Sequence, residues 1–216
     1  MKAEIDPRRF VALVQPCLER HDLPGLLALL KEHWCPEQIL HLLRCDCSDA
    51  RKVAILACGL VAPACACPAL AEQLKDPDPV VNQLAEHALW SIWFRAGTPA
   101  ANHELCRGSQ AMDRRELGHA IEHFDRAIEI DPSLAEAYNQ RAMARFILEG
   151  YDEAIADCRM ALERMPCHFG AWAGMGHGHA HLGRLPKAVM CYEKALAINP
   201  HLKDIEEAAC ALRAAI

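Results

Sequence analysis

Two segments near the start of the chain, residues 10–18 and 23–34, carry Leu, Val and Ala at helical spacing on either side of His21-Asp22. Pro7 and Pro24 stand where helices begin, because proline fixes φ and has no N–H to leave unpaired there. The pattern predicts a helical hairpin over residues 6–34, with a kink at Pro16 inside the first segment. A repeat follows, in which Leu43, Ala54 and Ala57 recur 31 residues later as Leu74, Ala85 and Ala88. Between leucine and alanines lie the acidic turns Asp46-Cys47-Ser48-Asp49 and Asp76-Pro77-Asp78-Pro79. Asp and Ser ahead of a helix accept hydrogen bonds from its free N–H groups, and acids there suit the helix dipole. Each copy therefore reads as a helix end, a capped turn and a second helix whose small residues admit a close neighbour.

From residue 99 the period changes. Pro132, Pro166 and Pro200 are spaced by 34 residues. An alanine stands twelve residues before each (Ala120, Ala154, Ala188) and another five before (Ala127, Ala161, Ala195), with Phe124, Cys158 and Tyr192 eight before. Second helices are expected to begin near Gly118, Tyr151 and Leu185. A period of this length marks stacked helical units, none of which buries its apolar face alone. Between the two repeats, Leu89-Trp90-Ser91-Ile92-Trp93-Phe94 brings three aromatics, and Gly97-Thr98-Pro99 supplies a helix stop and a new start. The junction is expected there, packed by the aromatics. After Pro200, Leu202, Ile205, Ala208, Ala209, Leu212 and Ile216 share one helical face, while Asp204, Glu206 and Glu207 lie in the first turns. The last unit of an array needs a cover with a polar outer face, so residues 203–216 are predicted to form a capping helix.

The 34-residue ladder closely resembles the tetratricopeptide repeat (TPR). With each proline at the thirty-second position, the copies are 101–134, 135–168 and 169–202. Tyr138 and Trp172 then take the fourth position, where an aromatic is expected, and Gly108, Ala142 and Gly176 the eighth, where small residues let two helices approach. The first copy departs, with Glu104 in place of the aromatic and Arg107 in place of a leucine, as suits the copy that docks on a different neighbour. The earlier repeat resembles the HEAT family, in its short bacterial form, over residues 36–97 and, with the first hairpin, 6–34. Asp76-Pro77-Asp78-Pro79-Val80-Val81 with Ala85, Ala88 and Leu89 carries that resemblance; Arg51 holds the family's basic residue in the first copy, and Asn82 replaces it in the second. Together they imply an all-α fold: an α–α superhelix (solenoid) of helical hairpins, HEAT-like over residues 1–98, TPR over 99–202, capped by 203–216.

Composition narrows the function classes. Apolar residues make up 52% and charged residues 24% of the 216 positions, as in ordinary soluble proteins. The net charge of −6 comes from 10 basic against 12 acidic residues up to Thr98 and 13 against 17 beyond it. Neither half has the basic surplus of a nucleic-acid binder, so no nucleic-acid partner is expected. No apolar run approaches the roughly 18 residues that mark a membrane helix, and no membrane partner is expected. Met-Lys-Ala-Glu-Ile-Asp-Pro-Arg-Arg sets acids and a proline where a signal peptide needs an apolar core. A cytoplasmic location and a monomer are the expectations, with the 12 cysteines reduced.

Candidate chemistry is sparse. In Gly176-His177-Gly178-His179-Ala180-His181, His177 and His181 lie four apart and share a helical face, a spacing that can chelate zinc or nickel. A metalloprotease helix also needs Glu beside the first His, and position 178 is glycine. The TPR register turns His177 and His181 toward a partner and packs His179. Cys45/Cys47 and Cys65/Cys67 number four thiols, but about 14 helical residues at 1.5 Å each hold the pairs roughly 20 Å apart, too far for one zinc. They read as small residues at loop ends, and Cys158 and Cys191 as core fillers. His119 and His123 read as solvated surface. Trp34-Cys35-Pro36 lacks the second cysteine of a redox motif, and no phosphate loop, dinucleotide fingerprint or nucleophile elbow is present. No cofactor and no catalytic residue are expected.

The TPR resemblance places a binding groove at Asn102, Leu105, Ser109, Met112 and Asp113; Glu136, Asn139, Met143, Phe146 and Ile147; and Gly170, Ala173, His177, Ala180 and His181. It implies a non-enzymatic scaffold or adaptor that holds a peptide or protein segment in a concave groove. Leu105 and Ser109 stand where chaperone-cofactor TPRs carry the lysine and asparagine of a carboxylate clamp, and Asp113 and Glu136 would repel a carboxylate. The expected ligand is uncharged, apolar or mildly basic rather than a heat-shock chaperone tail. Two alternatives remain open: a relative of the HEAT-type lyases that handle bilin chromophores, or an enzyme's regulatory subunit, with a polar pocket in residues 1–98; and a metal-binding accessory protein using His177 and His181. Removing residues 203–216 is expected to lower both solubility and the thermal midpoint; an unchanged melt would show that the segment is not a cap.

Overall fold

The computed structural model describes residues 5–216, and among them every regular element is helical: thirteen α-helices and three short 3-10 turns. The chain divides into two units, one ending at Ile92 and one beginning at Trp93.

The first unit opens with α1 (Pro7–Glu19) and α2 (Leu23–His33). Asp6 caps α1 by accepting from Arg8 N at 3.0 Å, and Asp22 caps α2 by accepting from Gly25 N at 2.9 Å. Pro16 lies within α1, and His21, at φ 53°, turns the chain between the two helices. Next come α3 (Pro36–His41), α4 (Ser48–Val61), α5 (Cys67–Glu72) and α6 (Pro79–Arg95). Leu43 and Leu74, partners in the 31-residue repeat, sit in equivalent 3-10 turns after α3 and α5, and both are buried. Ala54, Ala57, Ala85 and Ala88 are buried as well. Their small size lets α4 and α6 meet closely: a Cβ added to Gly59 would lie 3.2 Å from Ala88 Cα, and the Ser91 hydroxyl donates to Gly59 O at 2.9 Å. The two acidic turns are tied together. Arg51 donates to Asp76 at 2.8 Å and to Cys45 O at 2.9 Å, while Ser48 and Lys52 reach Asp78 at 2.5 and 2.8 Å. Lys52, Ser48 and the backbone N–H of Val80 hold the Asp78 carboxyl well below the usual carboxylate range.

The second unit contains three hairpins and a final helix: α7 (Pro99–Asp113) with α8 (Leu117–Ile130), α9 (Ala135–Ile147) with α10 (Tyr151–Arg164), α11 (Phe169–His181) with α12 (Leu185–Ile198), and α13 (Lys203–Ala214). Each hairpin turns through a left-handed residue: Arg115 at φ 59°, Glu149 at φ 63° and Gly183 at φ 66°, themselves spaced by 34 positions. Only the third uses the residue best suited to that conformation. Within a hairpin the two helices are held by a small residue facing a ring. A Cβ on Gly108 would stand 2.3 Å from Phe124 Cε1, and one on Gly176 would stand 2.4 Å from Tyr192 Cε1. In the middle hairpin Ala142 occupies the small position, and Cys158, in the same core cluster, replaces the ring. The extra methyl on one helix is matched by the smaller side chain on the other.

Helix α13 covers α12, burying Ile205 and Ala209 beside Ala188, Tyr192 and Ala195. The helix ends at Ala214, so Ile216, expected on the buried face, is instead 68% exposed. The unit boundary falls inside α6, a few residues ahead of the helix break at Gly97-Thr98-Pro99. Trp93 packs with the second unit, its ring stacked on His168 at 3.9 Å between centroids and edge-on to Phe169. Phe94 packs on the core of the first hairpin.

Gly176→Ala tests the small-residue contact. Alanine is the better helix former by about 1 kcal/mol, but its methyl must push a buried ring. A net loss of about 1–2 kcal/mol in urea unfolding is expected, since overpacking a core costs about 1–3 kcal/mol. Gly176→Ala with Tyr192→Leu should recover part of it.

Candidate functional site

Helix α9 packs against both α7 and α11, so the first helices of the three hairpins lie side by side. Residues predicted to line the groove separate into three groups along them. The first hairpin's candidates are mostly tied into the fold. Asn102 accepts from Gly97 N at 3.1 Å and donates to Gly97 O at 2.9 Å and Arg95 O at 3.1 Å, which fastens the turn into α7. Leu105 is buried, the Ser109 hydroxyl donates back to Leu105 O at 3.1 Å, and Met112 packs on the hairpin core. Asp113 is exposed.

The second group corrects the expectation. Glu136 is fully buried and lines no groove. Its carboxylate accepts from His168 Nε2 at 2.7 Å, Gln140 Nε2 at 2.6 Å and Asn139 Nδ2 at 3.3 Å. Asn139, with 9% of its surface exposed, belongs to this network. His168 has two roles: it is the N-cap of α11, and its Nδ1 accepts from Ala171 N at 3.1 Å. That leaves the ring proton on Nε2, aimed at Glu136. A buried carboxylate is tolerated only when donors replace the water it loses, and here three side chains supply them beneath Trp93. Repeat register gives the face of a helix but not what covers it, and the part of the face that holds Glu136 is covered.

The third group forms the accessible face. Met143 is 46% and Ile147 53% exposed, and between them Phe146 joins an aromatic cluster. Phe146 lies edge-on to His181 at 5.0 Å and to Tyr151 at 5.3 Å, and Tyr151 stacks on His181 at 4.8 Å. His181 is exposed, His177 is half-buried with Nδ1 hydrogen-bonded to Tyr192 at 2.9 Å, and His179 is buried. Gly170, Ala173 and Ala180 are half-buried. Burial and the neighbouring His181 push the His177 imidazole below its ordinary value. Tyr151 and Tyr192 lie outside the groove positions expected from the register; Phe146 and Tyr151 are five residues apart across a turn, so no helical periodicity signals their contact.

The glycines between the histidines face two ways. Gly176 meets Tyr192 on α12, while a Cβ on Gly178 would be 2.7 Å from Ile155 on α10. The glycine–histidine run is thus a site of close packing on both flanks of α11. Among the described residues no group of three or more His, Cys, Asp or Glu could hold a metal. His123, expected at the solvated surface, is half-buried and bonded to Glu104 at 2.7 Å. That contact explains the acid in the aromatic's place in the first copy, and it holds the Glu104 carboxyl below its usual value. The cysteine pairs flank α4, with Cys45 half-buried, Cys47 and Cys65 exposed and Cys67 buried. In the first unit a cleft of about 840 Å³ is lined by Leu27, Leu30, Trp34, Pro36, Leu60 and Val61 together with Lys31, Glu32 and His33. It mixes apolar and polar walls.

Residues 169–202, the third hairpin with its turn, match the family profile of the tetratricopeptide repeat. That hairpin is a tetratricopeptide repeat. It is 28% identical over 133 residues to a TPR repeat-containing protein of Rhizobium etli, covering 62% of this chain and 64% of that relative. Small glutamine-rich tetratricopeptide repeat-containing protein 2 of Mycosarcoma maydis is 32% identical over 43% of this chain and 26% of its own length. The chain therefore spans less than two thirds of either relative. Among solved structures, the second TPR domain of human RPAP3, in complex with the HSP70 peptide SGPTIEEVD, superposes with a TM-score of 0.51 at 28% identity, over 53% of this chain and 95% of that domain. Among the described residues no helix is long and apolar enough to cross a membrane.

The buried network gives the second unit a sharp test. His168→Ala removes a helix cap and leaves the Glu136 carboxylate short of a donor, and a loss of about 3 kcal/mol is expected in chemical unfolding. His168→Asn keeps the cap alone and should recover about 1 kcal/mol of it. Equal stability of both variants and the parent would show that the network carries no weight.

Proposed function

We propose that this protein is a non-enzymatic interaction scaffold whose TPR hairpins hold a peptide segment of a partner against the face formed by Met143, Phe146, Ile147, His177 and His181, with Ser109, Met112 and Asp113 at its first-hairpin end. The exposed apolar strip on α9 carries this reading. Met143 and Ile147 are left open to water on the helix that carries Phe146, whose ring is held edge-on by Tyr151 and His181. Methionine and aromatic side chains supply adaptable pockets for a partner's side chains. The described residues offer no arrangement of nucleophile, base and oxyanion donors on this face that would favour catalysis.

With Glu136 buried, the electrostatic preference rests on Asp113 and on the absence of a cation at positions 105 and 109, where Leu105 is buried and the Ser109 hydroxyl donates back to its own helix. This supports an uncharged, apolar or mildly basic ligand. The second reading, an acidic chaperone tail, is favoured by the likeness to the RPAP3 domain bound to SGPTIEEVD. We read all three hairpins as TPR copies over 101–134, 135–168 and 169–202, and the first unit as HEAT-like, supported by the Arg51–Asp76 rung between its acidic turns. The cysteine usage fits a reducing compartment such as the cytoplasm.

Fluorescence polarisation with two labelled peptides separates the readings: SGPTIEEVD and an amphipathic peptide of Leu and Lys. The Leu/Lys peptide should bind, and Met143→Asp with Ile147→Asp should weaken it about tenfold, the cost of placing charge in an apolar contact. Tighter binding of SGPTIEEVD that those two substitutions abolish would overturn the preference in favour of the acidic tail.

A further inference from the structure

A second cleft lies within the TPR unit, away from the α9 strip. It runs between α10 and α12 over α11, has a volume of about 460 Å³, and none of Met143, Phe146, Ile147, His177 or His181 lines it. Leu162, Trp172, Met175 and Cys191 form its apolar walls, Met190 stands at its edge with 49% of its surface exposed, and Arg159, Lys187 and Glu163 surround it.

Three observations point to an occupant. First, the basic side chains here are uncommitted. Arg141, Arg145, Arg184 and Arg213 are each tied to a carboxylate within 2.8 Å, whereas Arg159 and Lys187 form no such pair among the described residues. Second, His179 lines the cleft at 7% exposure, so its ring forms part of the floor on which an occupant would rest. Third, burial holds that imidazole below its ordinary value, and the nearby Lys187, Arg184 and Arg159 act in the same direction. Apolar walls of this size suit a single bulky side chain, and methionines such as Met175 and Met190 adapt to its shape.

We propose that this cleft docks an acidic, apolar segment of a partner protein, with an aliphatic or methionine side chain against Leu162, Met175 and Met190 and a neighbouring carboxylate drawn to Arg159 and Lys187. Charge complementarity decides the chemistry: the chain as a whole is acidic, so two unpaired cations beside an apolar cleft select a ligand that the rest of the surface repels. The site does not depend on the α9 strip, and a scaffold with both could hold two unlike segments at once.

Two labelled amphipathic peptides of matched length test it, one of Leu and Glu and one of Leu and Lys, by fluorescence polarisation and by ring resonances of His179 in NMR. The Leu/Glu peptide should bind and shift the His179 signals, with affinity falling as salt is raised. Arg159→Glu with Lys187→Glu, both exposed positions that leave the fold intact by circular dichroism, should weaken it about tenfold, the sum of two reversed charge contacts. Met143→Asp with Ile147→Asp should leave it unchanged. Equal binding by the charge-reversed protein, His179 signals moved only by the Leu/Lys peptide, or self-association lost in the reversed variant, which would assign the cleft to a second copy, would each overturn the proposal.

Discussion

The hairpins of the second unit depend on the fit between a small residue on the first helix and the side chain it faces on the second. Gly108 against Phe124 and Gly176 against Tyr192 leave no room for even one methyl. Where the middle hairpin carries Ala142, it carries Cys158 in place of a ring. Interiors are packed densely enough that one methylene is felt, so volume is conserved across the pair rather than at either position. The helix–helix distance this sets fixes how the next hairpin stacks, and through it which residues of the first helices remain open to a partner.

The same constraint explains the glycine–histidine run on α11. Glycine weakens a helix interior by about 1 kcal/mol relative to alanine, a cost accepted here because α11 is approached closely on both sides, by Tyr192 at Gly176 and Ile155 at Gly178. The histidines then fall where the helix turns them: His181 outward onto Tyr151, His177 half-buried against Tyr192, and His179 into the cleft beside α12. A motif that in isolation invites a metal-binding reading is, in place, three imidazoles in three environments.

A second organising contact is polar. Glu136 is buried with its lone pairs filled by His168, Gln140 and Asn139, while Trp93 lies flat on the His168 ring. Because His168 is also the cap of α11, one side chain joins the start of the third hairpin to the first turn of the second. Left-handed turns at Arg115 and Glu149 show the complementary case, in which the architecture imposes a backbone conformation that local sequence does not favour. Only Gly183 announces its turn.

Periodicity in the sequence determined the helical class, the number of hairpins after residue 99, the small-residue positions and the packing of His179 apart from His177 and His181, because a helix of fixed pitch converts spacing directly into facing. The prolines Pro7, Pro24 and Pro99 marked helix starts, a signal that depends only on nearest neighbours in the chain. The tertiary structure alone decided that Glu136 and Asn139 lie beneath the surface, that Trp93 packs with the second unit, and that Tyr151 completes the aromatic cluster. It alone brought Arg159, His179 and Lys187 to one cleft. Burial and pairing arise from residues distant in sequence, and register along one helix carries no record of what the next helix sets against it.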